Sequence, residues 1–596
     1  MDAAEAASSA PGAAASQHRI NLQADRPTIV LQPCAPEVCN RPLPRLTETG
    51  MQRPSTVHGL SKPSSLVVRG ETVAAEAETV AQSDRPNPTS EPTRPACTSD
   101  RILVIDTIAV ACSTILTEAI AAEVLQPFLG RPLSPTEQQE AADAITRYYL
   151  EQGYITSRAL VQSDPGPGDR LQLQVVEGGI ERIEIDGLER LQEGYLRSRI
   201  ALATTPPLNS ARLEDQLRLL RQSPLLENIE ASLLPGDTYG NSILRVRVEE
   251  ADPFDGFIGL DNYSPPVLGT TQGTLALGYQ NLTGRGDRLL GSVQRTTTGG
   301  GTTYTLGYAI PLNPMEGTLQ VQGTWEQNRI PLAPGFDITS NSQTYSLSFR
   351  QPLTRTPQEE FALSLGFDYE NGQTFIGDQP FGFGLGPDPD TGISRTAVVR
   401  FGQDYVSRDE QGAWSVRSRF SLGTSLFGAT VNPDPIPDGQ FISWLGQAQR
   451  VQRLSDDHLL IVSADVQLTP NPLLPSEKFV IGGAQTVRGY RQNLLGGDNG
   501  FRVSVEDRIT LNRDEAGLPT LQLAPFVDMG SVWNVGSNPN PVPVQGFLAS
   551  LGLGLIWEPQ PRLNLRVDYG LPLIGTSNRG NTWQEQGIYF QLGYRL

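Results

Sequence analysis

The sequence predicts a mainly β fold: a transmembrane antiparallel β-barrel of about sixteen strands, preceded by two small β-α-α-β-β units and a disordered N-terminal tail. Three observations predict it. From residue 252 to the end, apolar residues recur at every second position. The alternating runs are about 9–11 residues long, the span of a tilted strand across a bilayer and nearly twice the usual strand of a soluble sandwich. Between residues 101 and 251 one element order occurs twice in tandem.

Residues 1–100 form the tail. They are rich in Ala, Pro, Ser, Thr and Glu, and stretches such as 83–95 (SDRPNPTSEPTRP) have no apolar period. Such a segment buries too little surface to offset its ordering entropy; short elements are expected only at 19–32 and 64–78. The chain opens with Asp2 and Glu5 and no apolar run follows. An export leader is therefore expected to be missing from this start. Cys34 and Cys39 are spaced for a small disulfide loop but poorly for zinc, and are read as incidental.

The first αβ unit spans 101–178. Residues 101–110 (RILVIDTIAV) predict a strand and 116–129 a helix. Ser134-Pro135-Thr136-Glu137 is a capping box with proline at the first helical position, so a second helix runs to about 152 and stops at Gly153. Strands at 154–161 and 171–177 follow, joined by a turn at 164–168. The second unit, 179–251, repeats the order: a strand at 180–185, helices at 193–203 and 210–222, and strands at 225–234 and 242–250. Neither unit clusters an acid, a nucleophile or a metal set, so both read as binding modules.

In the last region, 252–596, Phe361, Leu363, Leu365, Phe367 and Tyr369 alternate with Ala362, Ser364, Gly366 and Asp368. Leu563, Leu565, Val567, Tyr569 and Leu571 oppose Arg562, Asn564, Arg566, Asp568 and Gly570. Charges confined to one face fit a polar lumen with an apolar outside. Aromatic ends such as Tyr369, Trp557 and Tyr594 fit an interfacial girdle. Hydrocarbon offers no water to an open edge, so the strands must close into a ring. Length alone admits about fourteen to eighteen strands. Long loops are expected at 333–342, 377–394 and 426–440.

Composition narrows the function. Lys+Arg is 46 against Asp+Glu 65, a formal charge of −19, which disfavours binding to nucleic acid by phosphate neutralisation. The three His are scattered, and no Cys follows Cys112. A histidine triad, a His-rich metal site or a barrel thiol nucleophile is not expected. There is no Gly-x-x-x-x-Gly-Lys phosphate loop. No enzyme activity, cofactor or metal is expected.

One segment departs from the alternation. In 479–490 (FVIGGAQTVRGY), Gly482, Gly483 and Gly489 allow tight turns in a crowded pore. A charge such as Arg488 in that setting wants a planar carboxylate partner. In 526–530 (FVDMG), Phe526 and Asp528 share one face and Val527 and Met529 the other, so Asp528 should point into the lumen. Spacing alone leaves open an exposed Arg488 and an ordinary lumenal Asp528.

These residues carry a resemblance. Two β-α-α-β-β units before an alternating barrel look like POTRA modules. The whole, over 101–596, resembles the outer-membrane transporter of two-partner secretion, the hemolysin secretion/activation protein family. Gly482, Gly483, Val487, Arg488, Gly489 and Tyr490 match that family's inserted-loop motif. Phe526, Asp528 and Gly530 match its barrel-wall motif, and 148–157 (YYLEQGYITS) resembles its phrase in the first module. The resemblance implies that Arg488 pairs with Asp528. It further implies an outer-membrane pore with periplasmic modules that recognise an unfolded partner exoprotein and secrete it without nucleotide hydrolysis. Lipid and the barrel-insertion machinery would be the other partners; no nucleic acid is expected. The cargo could add a strand to a module edge, with 154–161 and 227–234 the candidates. The alternatives are a barrel-assembly or insertion factor and a passive porin-like channel. The family's pore-plugging N-terminal helix is not evident, and the last residue is Leu596 where Phe is commoner.

Overall fold

A computed structural model describes residues 28–32, 103–105, 107–162, 170–333, 336–541, 546–576 and 579–596. Its first elements are strands β1 (Thr28–Gln32), β2 (Leu103–Ile105) and β3 (Thr107–Ala111), helix α1 (Glu118–Leu125), β4 (Arg131–Leu133), helix α2 (Pro135–Glu151), β5 (Arg158–Val161) and β6 (Arg170–Val176). The capping box forms as the sequence requires: Ser134 Oγ accepts from Glu137 N at 3.3 Å, and Glu137 Oε2 accepts from Ser134 N at 2.8 Å. Ala141, Ala142, Ile145 and Tyr149 turn one face of α2 into a core with Ile108, Val110, Leu171 and Leu173.

The sheet order is β1-β3-β6-β5, with β2 and β4 paired separately. Two expectations need correction here. The single strand at 101–110 is broken into β2 and β3, which belong to different sheets. The strand at 154–161 is confined to β5, because a turn closed by Ser157 N to Tyr154 O at 3.1 Å precedes it. The short element expected within 19–32 is present: β1 pairs in parallel with β3 from Thr28↔Thr107 to Gln32↔Ala111. Cys112, which follows β3, is disulfide-bonded. The expected element at 64–78, Cys34, Cys39 and the turn at 164–168 lie outside the described residues.

The second module contains β7 (Ile180–Asp186), α3 (Glu193–Ile200), α4 (Ser210–Arg221), β8 (Leu226–Pro235) and β9 (Ser242–Glu250). β9 lies between β7 and β8. Leu244, Val246 and Val248, at period two on β9, are buried, as are Leu213 and Leu220 on α4 and Leu196 and Ile200 on α3. β8 is thus a sheet edge, and so is β5 in the first module.

The alternating region closes into an antiparallel barrel. It opens with β10 (Phe254–Asp261), β11 (Gln272–Gln280), β12 (Arg288–Thr296), β13 (Gly301–Pro311), β14 (Thr318–Ala333), β15 (Phe336–Arg355) and β16 (Glu359–Ile376). A two-residue strand, β17 (Gln379–Pro380), adds only to the end of β16. The wall continues with β18 (Ile393–Asp409), β19 (Gly412–Thr424), β20 (Ile442–Arg453) and β21 (His458–Leu468). Next, β22 (Phe479–Ile481) and β23 (Leu495–Gly497) pair with each other. The wall ends with β24 (Asn499–Arg513), β25 (Pro519–Trp533), β26 (Phe547–Gln560), β27 (Leu563–Pro572) and β28 (Ile588–Arg595). Among the described residues, sixteen wall strands make the ring. An antiparallel ring needs an even number, so the first and last strands meet correctly.

That closing seam is the shortest ladder in the wall, five residue pairs from Phe257↔Arg595 to Asp261↔Gln591. Gly259 lies opposite Gly593 there, and a Cβ on either would meet the Phe257 ring at 2.7 and 2.8 Å. The ring fills the space of two missing side chains. Around the barrel the outward residues are apolar: Val527 and Met529 are 48% and 38% exposed while Asp528 between them is 0%.

Two details differ from expectation. The loop expected at 333–342 belongs largely to the β14–β15 hairpin, where Ile330 pairs with Ile338 and Arg329 meets Asp337 at 2.5 Å. Polar residues on both faces read as loop, yet a strand beyond the bilayer has water on both sides and needs no period. For the same reason β15, at 20 residues, far exceeds a spanning length. The loops expected at 377–394 and 426–440 do lie between β16 and β18 and between β19 and β20.

Candidate functional site

The segment 469–498 leaves the wall after β21 and folds into the lumen before β24. Its β22–β23 hairpin turns Phe479, Ile481 and Leu495 into a cluster with Val487, Tyr490, Val532 and Leu548. Gly483 N donates to Val487 O at 3.1 Å, and Asn493 N donates to Gly482 O at 3.1 Å, so the glycine pair closes two turns. Gly489 has φ +94°, and a Cβ there would come within 3.1 Å of Gly570 O on β27. Only backbone can lie that close to backbone. Gly489 N donates to Tyr589 Oη at 2.9 Å, Tyr589 Oη donates to Tyr490 O at 2.5 Å, and Tyr490 Oη donates to Ala549 O at 2.7 Å.

This fixation aims Arg488 at the wall. Its Nε and Nη2 donate to Asp528 Oδ2 and Oδ1 at 2.7 and 2.9 Å, a bidentate fork. Its backbone N reaches Asp528 Oδ2 at 3.1 Å. Nη1 donates to Glu506 Oε2 at 2.7 Å and lies 3.6 Å from Asp568 Oδ1. The guanidinium carbon sits 3.3 Å from the centroid of the Phe526 ring. Behind it, Arg566 donates to Glu506 at 2.7 Å and to Asp568 at 2.7 and 2.9 Å, and Arg508 donates to Glu506 Oε1 at 2.9 Å. Ser504 Oγ donates to Asp528 at 2.6 Å. Three arginines thus face three carboxylates, and no buried charge is left uncompensated in this cluster.

The structure therefore brings together Val487, Arg488, Gly489 and Tyr490 with Phe526 and Asp528. Gly530 joins them by its smallness, since a Cβ there would lie 3.3 Å from Val487 Cγ2. Sequence reasoning missed Glu506, Arg566, Asp568, Ser504 and Tyr589. Alternation placed Arg566 and Asp568 on a polar strand face. Their convergence on one guanidinium depends on ring closure, which period alone does not give.

Beside this cluster the lumen holds a polar cavity of about 670 Å³ lined by Arg350, Asp404, Arg417, Gln447, Asp465 and Arg502 among others. Among the described residues, no group of three or more His, Cys, Asp or Glu side chains is placed to hold a metal ion. The chemistry on offer is non-covalent: charge-assisted hydrogen bonds between the inserted segment and the wall.

Comparison with known proteins gives two family matches. Residues 103–178 match the POTRA domain, ShlB-type, and residues 240–556 match the haemolysin secretion/activation protein ShlB/FhaC/HecB. The outer membrane transporter CdiB of Escherichia coli is 25% identical over 427 residues, covering 69% of this chain and 70% of that protein. The hemolysin transporter protein ShlB of Serratia marcescens is 32% identical over 130 residues, 21% of each chain. In fold, the chain is similar to the solved CdiB from Escherichia coli, with a TM-score of 0.66 at 21% identity over 85% of this chain and 93% of that one. Since the longer match takes in the wall strands from β10 to β25, the inserted segment and both partners of the Arg488 fork, the chain belongs to the haemolysin secretion/activation protein family, as an outer-membrane transporter with a periplasmic POTRA domain at 103–178.

Proposed function

We propose that the chain is a two-partner secretion pore that binds an unfolded exoprotein and passes it outward through the lumen as the segment 469–498 rearranges. The observation that carries this is the Arg488 cluster. A pore meant to stay open would not fill its lumen with a segment, and a plug meant to stay would not hang on exchangeable ion pairs. The cargo meets the periplasmic modules first. β5 and β8 are sheet edges, and an unpaired edge supplies the backbone donors and acceptors for an added strand. No nucleotide-binding loop is available, so folding of the cargo outside would supply the direction, with no catalytic step and no cofactor. Lipid covers the apolar outer face, and the barrel-insertion machinery assembles the ring.

The test is a double-mutant cycle on secretion of the partner exoprotein. Arg488→Ala and Asp528→Ala should each lower secretion by about tenfold, with the double variant no worse than either single one. Additive losses would show two independent residues. A steady ion current indifferent to Arg488→Ala would favour a passive channel. Depletion of unrelated outer-membrane barrels would favour an assembly factor.

A further inference from the structure

The inserted segment touches the wall at a second charged point, where the signs are reversed. Glu477, at the start of the segment, lies with Oε1 2.9 Å from Arg400 Nη2 and Oε2 3.3 and 3.2 Å from Nη1 and Nη2. The Glu477 side chain is 9% exposed. Arg400 is on β18, four strands along the wall from β24. Its Nε meets Asp368 on β16, and its Nη1 donates to Ser421 Oγ at 2.8 Å. Glu370 lies two residues beyond Asp368, on the same strand face.

Arg419 stands beside this pair. The register sets Arg400 opposite Ser421 and Gly402 opposite Arg419, so the two arginines are diagonal neighbours on the lumenal face. Arg419 Nε is buried and has no hydrogen-bond partner among the described residues. Native structures rarely leave a charged donor in that condition unless something else is meant to satisfy it. If Glu477 withdraws with its segment, Arg400 keeps Asp368 on Nε but loses the carboxylate on both Nη atoms. Two guanidinium groups would then face the lumen with donors in the fork geometry that a carboxylate fits.

We propose that Arg400 and Arg419 form a carboxylate-binding subsite of the translocation path. Glu477 occupies it while the segment is inserted, and Asp or Glu side chains of the passing polypeptide take it when the segment moves. The subsite rests on the secretion reading, because it needs the segment to leave and a chain to pass. Its ligand class is an extended polypeptide with carboxylate side chains.

The experiment measures binding of fluorescein-labelled hexaglutamate to the full chain in detergent micelles by anisotropy, which needs no open pore. Glu477→Gln, which removes the resident carboxylate, should bind the peptide about tenfold tighter than the unaltered chain. Adding Arg419→Gln to that variant should abolish the gain, and adding Arg400→Gln should do the same. Labelled hexaglutamine should not bind. Arg419→Gln removes a side chain whose Nε has no partner, so it keeps the test open should Arg400→Gln fail to fold. Equal affinity in Glu477→Gln with and without Arg419, or equal binding of hexaglutamine, overturns the subsite. Failure of Arg488→Ala to impair secretion, with hexaglutamate binding as expected, would instead remove the secretion reading and leave a lumenal anion site.

Discussion

Each donor nitrogen of the Arg488 guanidinium meets an oxygen within 3.4 Å, and two of the three carboxylates around it are shared with Arg566. Half of that arrangement was legible in the sequence. The glycines marked a segment that turns tightly, and the Phe526–Asp528 alternation gave the direction of the acid. The other half, Glu506 and Asp568, lies on β24 and β27, and only closure of the ring brings them to Arg488. A second carboxylate illustrates the same dependence on local geometry. Glu250, at the end of β9, accepts from the backbone N of Glu189, Arg190 and Leu191 at 2.8, 2.9 and 2.8 Å. Burial pushes its carboxyl group up, but those three amides and the Arg190 side chain outweigh it and hold the group below its ordinary value. A depressed folded value means that the stabilisation is complete above the ordinary carboxylate range and is lost as pH falls through the folded value. In Glu250→Gln the midpoint of thermal unfolding of the second module should therefore change less between neutral and acid pH than in the unaltered chain. Parallel pH curves for the two would rule Glu250 out.

At the scale of elements, helix α3 is fastened to two turns of the barrel. Arg199, 4% exposed, donates to Glu316 Oε1 at 2.6 Å, with the Tyr195 ring 3.4 Å away and Tyr195 Oη on the same carboxylate at 3.0 Å. Gln192 N donates to Gly284 O at 2.8 Å. Without Arg199, Glu316 keeps, among the described residues, only Tyr195 Oη and Arg355 at 3.7 Å, and α3 loses its charged link to the turn. Arg199→Ala should thus speed hydrogen exchange in α3 and in the turn 312–317 while the wall strands exchange as before. Unchanged protection of α3 would mean that the fastening lies elsewhere. The sequence announced α4 through Leu213, Leu217 and Leu220 on one face and α2 through its capping box. It did not announce that a turn acid would meet a helix cation, since nothing in a six-residue turn names its partner. The sequence placed a short element within 19–32 but not its partner: β1 lies along β3, and nothing in five residues of a Pro-rich segment names that edge.

For the whole molecule, the period-two pattern gave the class, and the register of neighbouring strands gave the number. An outward belt of Leu, Val, Phe and Tyr at every second position has no place in water. The full chain should float with phosphatidylcholine vesicles in a density gradient and stay monodisperse only in detergent. A monodisperse sample in plain buffer that ignores vesicles would end the membrane account. Strand count was beyond the sequence because hairpins such as β14–β15 extend past the bilayer, so residues per strand vary too widely to divide into the length. A hoop fails where its clasp is narrowest. Here the clasp is the five-pair junction of β10 and β28, with Phe257 wedged over Gly259 and Gly593. Heat, tension or a misplaced bulge should part the cylinder along this line first, and one aromatic side chain then governs how readily the ring comes undone.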